Sequence, residues 1–237
     1  MSGTFPFDDE AWDEERWEAF LRDHDKRVDH YMEVIFRFMR KHPMPDPEDE
    51  AAFATWRASL RAWMRDEGWR CDDLILPFFW FAEEHLEEDL DDVFPFGGAT
   101  SFIDPEDENL DALQHLPVYQ GACDLSVEVL DWAYALSGDD KDSRLVHFCA
   151  HVAQIPAHVA RGYGIGHERD TLGGNIACVK RGLSDANAAL DLLARMKPAL
   201  YMDPATYRRL YEQAYEVRNA LALYLQDLRD RFDLGVD

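Results

Sequence analysis

The sequence predicts an all-α protein: a single-domain bundle of about seven to eight mostly antiparallel helices. Three observations predict it. Apolar residues recur at helical spacing in segment after segment, from Leu21, Val28, Met32, Ile35 and Met39 to Ala214, Leu221, Leu225 and Leu228. No stretch of useful length alternates with period two between turn residues, so no strand is expected. Asp46-Pro47, Asp104-Pro105 and Asp203-Pro204 share a helix-start signature. Asp accepts from the free amides of a first turn, and Pro has no amide to leave unpaired.

With 237 residues, 47% of them apolar and 13% aromatic, the chain can bury a sizeable core. The formal charge of -24 comes from 48 Asp and Glu against 24 Lys and Arg. Such a surface repels nucleic acid and anionic membrane, so neither is an expected partner. It fits a solubility feature, a face for a basic protein partner, or mimicry of nucleic acid, which needs carboxylates spaced like phosphates. Cys71, Cys123, Cys149 and Cys178 form no C-x-x-C pair, which excludes a zinc ribbon and fits free thiols in a reducing compartment. The start MSGTFPFDDE is acidic where a signal peptide needs positive charge, and the longest apolar run, residues 74–82, is too short to span a bilayer. A cytoplasmic location is the expectation.

In chain order, the first helix is expected over residues 9–41, stopped by His42-Pro43-Met44-Pro45. His24 and His30 lie among Asp23, Asp25 and Asp29, which reads as a solvated charged face. A second helix is expected over 47–67, with Phe53, Trp56, Leu60 and Trp63 inward and Gly68 as its stop. A third is expected over 72–92, followed by an irregular loop at 94–104 and a short helix over 105–115. Helices over 118–136 and 143–161 come next, joined by the connector SGDDKD. Pro156 interrupts the second of them and frees a backbone carbonyl one turn earlier, near Val152. The glycine-rich segment 162–171 reads as a second irregular loop, a hinge or tight turn. It lacks the strand that a dinucleotide fingerprint requires. Helices over 172–182, from Ser184 to Lys197, and over 204–232 complete the chain. The last carries a stripe of Tyr207, Tyr211, Ala214, Leu221, Leu225, Leu228 and Phe232.

The candidate site lies in the 118–136 and 143–161 hairpin. Arg144, His147, His151, Gln154, His158 and Arg161 fall on one narrow stripe of an otherwise apolar helix, and Asp124, Glu128 and Asp131 make an acidic stripe on the other. A short connector makes the two antiparallel neighbours. Residues equidistant from the turn then come level: Asp131 with His147, Glu128 with His151, and Asp124 with Gln154 or His158. His147 and His151, four apart, place both imidazoles on one face, a geometry that chelates a divalent transition metal. Glu128 and Asp131 are the natural co-ligands or ring-orienting partners. His158, Asp124 and His85 are further candidates. The missing Glu excludes the H-E-x-x-H metalloprotease pattern, and no Glu-x-x-His motif supports a di-iron bundle. The plain alternatives are ordinary imidazole–carboxylate ion pairs, or two stripes that both face solvent.

His147-x-x-x-His151-x-x-Gln154 resembles the H-x-x-x-H-x-x-Q pattern of DinB-like metal-binding four-helix bundles. The resemblance covers only these residues, and a long chain follows the motif here, unlike the family pattern. It implies a third His from an earlier helix, a role His85 would fill. Arg218-Asn219 resembles part of the HEPN-type ribonuclease motif, but Tyr224 stands where its His is needed. Two functions therefore follow as expectations. One is a metal or small-ligand site in the His/carboxylate seam. The other is a non-enzymatic acidic protein that binds a basic partner.

Overall fold

The computed structural model describes residues 11–46, 49–68, 112–138 and 141–235, and the chain is all-α. Six long helices lie within them: α1 (Glu14–Lys41), α2 (Glu50–Asp66), α3 (Pro117–Ala135), α4 (Ser143–Ile165), α5 (Arg169–Met196) and α6 (Pro204–Leu234). The expected 72–92 helix, the 94–104 loop, His85, Cys71 and the Asp104-Pro105 start lie outside the described residues. Two compact units group the chain: Met1–Glu18 with Gly97–Asp237, and Ala19–Phe96.

In the second unit, α1 beyond residue 18 and α2 close a core of Val34, Ile35, Phe38, Trp56, Leu60 and Met64. Phe38 meets Trp56 edge to face at 5.7 Å. The Trp56 indole donates to the His42 carbonyl at 2.8 Å, so the segment that breaks α1 also anchors α2. The cap of α2 differs from the expected Asp46: Asp49 accepts from the Ala52 amide at 3.0 Å. On α1, His24 is buried while His30 is exposed, so only the second lies on a solvated face.

In the first unit, α3 to α6 form a ring in which each helix packs on its neighbours in sequence and α3 closes against α6. Contacts fix the directions as antiparallel. Arg144 at the start of α4 donates to the Arg195 carbonyl at the end of α5. Helices α3, α4 and α6 each turn one apolar stripe inward, as in α6, where Leu210, Ala214, Val217, Leu221, Leu225 and Leu228 are buried, whereas α5 is buried on all sides over residues 172–179. Tyr207, Tyr211 and Tyr215 flank that stripe instead of joining it. They stack along the helix at 5.8 and 6.2 Å, with Tyr211 and Tyr215 exposed. The expected cap at Asp203 forms, accepting from the Ala205 and Thr206 amides, and the structure adds Asp142, which accepts from Leu145. The Arg144 side chain and the Leu145 amide hold the Asp142 carboxyl down at about 2.

Of two expected breaks, one is shorter than expected and one is absent. Helix α4 runs on to Ile165 and α5 starts at Arg169, so the irregular segment is 166–168, not 162–171. Gly166, at φ 129°, is what ends α4, because that backbone region favours glycine. Helix α5 also runs unbroken through Gly182 and Ser184. Gly182 lies against α4, where an added Cβ would meet the His158 Cβ at 3.5 Å and the Ile155 carbonyl at 3.6 Å. These are ordinary van der Waals distances, so Gly182 sits at a helix contact that a methyl would also fit, and it ends nothing. The same unit receives the start of α1. A Cβ on Gly173 would stand 2.1 Å from the Trp12 carbonyl, and Glu14 bridges Lys180 of α5 and Arg229 of α6 at 2.9 Å each.

Pro156 stays inside α4, and the carbonyl that it frees finds a partner. The buried Ser126 hydroxyl of α3 lies 3.1 Å from the Val152 carbonyl and 2.8 Å from that of Ala122. One proton is shared between the broken ladder of α4 and the intact ladder of α3.

Candidate functional site

The α3–α4 interface is apolar. Ala122, Leu125, Val129 and Ala133 meet Leu145, Phe148, Val152, Ile155 and Val159 in one core, with Ser126 as its polar insertion. The two charged stripes flank this contact and turn to different neighbours. This corrects the expected register of Asp131 on His147 and Glu128 on His151. The physical reason is azimuth. The apolar stripes must meet in the core, which rotates the His stripe of α4 toward α5 and the acidic stripe of α3 toward α6.

The His stripe finds its acid in Asp185 of α5. His151 Nδ1 lies 2.8 Å from Asp185 Oδ1, and His158 Nε2 lies 3.1 Å from Oδ2. Both carboxylate oxygens are thus engaged, and His158 and Asp185 are largely buried. Burial pushes the Asp185 carboxyl up, but hydrogen bonds from His158 and His151 outweigh it, so the group sits below its ordinary value. His147 and Gln154 are exposed. Among the described residues no group of three or more His, Cys, Asp or Glu side chains is arranged to hold a metal ion.

Reasoning from the sequence missed Asp185, because a helix stop at Gly182 and a new cap at Ser184 made it look like a first-turn acid. The usable signal was its isolation. It is one acid beside the small residues Ala186, Ala188 and Ala189.

The acidic stripe faces α6. Glu128 accepts from Gln213 and pairs with Arg209, whose Nε stands 2.6 Å from Oε1. Around this pair Asp124, Val127, Glu128, Asp131, Trp132 and Arg209 line an open groove of about 510 Å³. Asp124 and Asp131 are exposed, and among the described residues neither forms an ion pair. Three carboxylates therefore stand against one guanidinium in the groove. Trp132, half-buried, packs toward Tyr201 at 6.3 Å between ring centres.

A third polar cluster pins the 166–168 turn. Asn175 is fully buried and donates to the Gly166 carbonyl at 3.2 Å. His167 Nε2 lies 3.4 Å from the Tyr224 hydroxyl, with the Tyr163 ring edge-on at 4.6 Å. Burial, with Arg231 adding, lowers the His167 pKa, and burial raises that of Tyr224. Tyr224 thus has a part in holding a turn.

No helix among the described residues is long and apolar enough to cross a membrane. No family model, curated protein or solved structure matches the chain.

Proposed function

We propose that the protein is a non-enzymatic binding module for a cationic partner, and that the α3–α6 groove is the contact. The observation that carries this reading is the uncompensated acid of the groove: Asp124 and Asp131 are open to solvent beside a Glu128 already matched by Arg209 and Gln213. A lysine or arginine entering there gains two carboxylates and the Trp132 ring, whose face attracts cations. The formal charge of -24 acts over a longer range, steering a basic partner in and turning acidic competitors away.

The test is the anisotropy of a labelled oligolysine peptide titrated with the protein at low and high salt. Binding at low salt that weakens as salt rises is expected. The double variant Asp124→Asn/Asp131→Asn is expected to bind about tenfold more weakly. Absence of binding at low salt, or equal binding by the double variant, would overturn the proposal.

A transition metal held by His147 and His151 draws its support from their spacing alone. Elemental analysis of the native protein with no metal found would end that reading.

A further inference from the structure

The outer face of the α3–α4 hairpin carries an apolar row that no described element covers. Val127, Leu130 and Tyr134 stand at i, i+3 and i+7 of α3, on one side of the helix, and are 60%, 45% and 86% exposed. Val146 of α4, toward the same turn, is 57% exposed. Large apolar side chains gathered in this way mark contact surfaces more often than lone exposed ones do. The row spans about 10 Å along α3, roughly two helical turns. Its border is charged on one side, because Asp124 and Asp131 of the groove lie on the next azimuth of the same helix.

Charge selects the occupant. A second copy of this chain brings a formal charge of -24. The chain's own apolar residues at 74–82 lead directly into Glu83, Glu84, Glu87, Glu88, Asp89, Asp91 and Asp92. Both would set acid against acid. A cation, by contrast, already rests at the turn end of the row, where Lys141 Nζ lies 5.6 Å from the centre of the Tyr134 ring. We propose that this face docks an amphipathic basic helix of a partner protein. Its apolar side lies on Val127, Leu130, Tyr134 and Val146, and its Lys or Arg side chains reach Asp124 and Asp131. This is the helix-in-groove mode, with anchors one turn apart. The inference rests on the groove being a cation site and adds the partner's shape.

Two labelled synthetic peptides of identical Lys/Leu composition separate the two claims. One places Leu at i, i+3, i+4 and i+7, and the other is scrambled to have no apolar side. The amphipathic peptide is expected to bind about tenfold or more tighter than the scrambled one. Leu130→Ser/Tyr134→Ser, a change of exposed positions outside the groove, is expected to abolish that advantage and leave the weaker binding in place. Asp124→Asn/Asp131→Asn is expected to weaken both peptides. Equal binding of the two peptides, or an unchanged advantage in the Leu130/Tyr134 variant, would overturn the docking face while leaving the cation groove standing. No binding of either peptide would remove both. A dimer in sedimentation that dissociates in the Leu130/Tyr134 variant would assign the row to self-association and overturn the inference.

Discussion

Asp185 and the pair Asp124/Asp131 are acids in the same four-helix unit, and they are treated in opposite ways. Asp185 is largely buried and answered from within, each oxygen by one imidazole. Asp124 and Asp131 stand open in a groove that holds one guanidinium for three carboxylates. Burial explains the difference. A carboxylate taken out of water must be given partners by its own chain, whereas one left in water is under no such demand. Internal matching is therefore a mark of structure, and an unmatched open cluster is the better candidate for a partner.

Breaking the matched cluster should have the largest effect on stability. Asp185→Ala leaves two imidazoles without their acceptor and is expected to cost about 2 kcal/mol, read from urea midpoints near neutral pH. The effect should depend on pH with a definite sign. Because the folded-state pKa of Asp185 is lowered, its contribution is present above the unfolded value of about 3.9 and is lost as pH falls through the folded value. The gap between native protein and Asp185→Asn should therefore narrow toward strong acid. A gap that widens there would mean that the imidazoles are not what lowers this carboxyl.

Ser126→Ala comes next. It strips the Val152 carbonyl of the hydroxyl that answers the Pro156 interruption, at an expected cost of about 1 kcal/mol in the same assay. The double variant Ser126→Ala/Pro156→Ala sharpens the point. If Ser126 serves the freed carbonyl, its loss should be felt less once α4 can close its own ladder. Additive effects would show that the hydroxyl serves Ala122 alone.

The smallest stability effect belongs to the open cluster. Asp124→Asn/Asp131→Asn should leave the midpoint within about 0.5 kcal/mol of the native protein. A larger loss would mean that these carboxylates carry folded-state interactions, and the contrast with Asp185 would disappear.

Much of the architecture was legible along the chain. Most of the inward stripes of α4 and α6 could be read from spacing, and Asp203 caps α6 as its pairing with Pro204 announced. The freed carbonyl near Val152 was legible as well, though not the residue that answers it. Glycine was the weak signal. Gly162, Gly164 and Gly182 look like stops in a sequence, yet each lies inside a helix. A glycine that lets two helices approach and one that ends a helix are the same letter, and only the neighbour tells them apart.

The candidate site was half legible. His151 and His158 could be placed on one face, and so could Asp124, Glu128 and Asp131. Their mutual pairing could not, since register along a hairpin says nothing of rotation about each axis. Asp185 was hidden by the misplaced break at Gly182, and Gln213 and Arg209 by lying far along the chain.

The sequence by itself determined the all-α class, most of the inward stripes of α4 and α6, the cap at Asp203, and the excess of negative charge. These follow from periodicity and local hydrogen bonding, which act over a few residues. Only the tertiary structure decided which neighbour each polar stripe meets, because α4 has α3 on one side and α5 on the other. Burying the apolar stripes against both rotates His151 and His158 onto Asp185 and leaves Asp124 and Asp131 facing water.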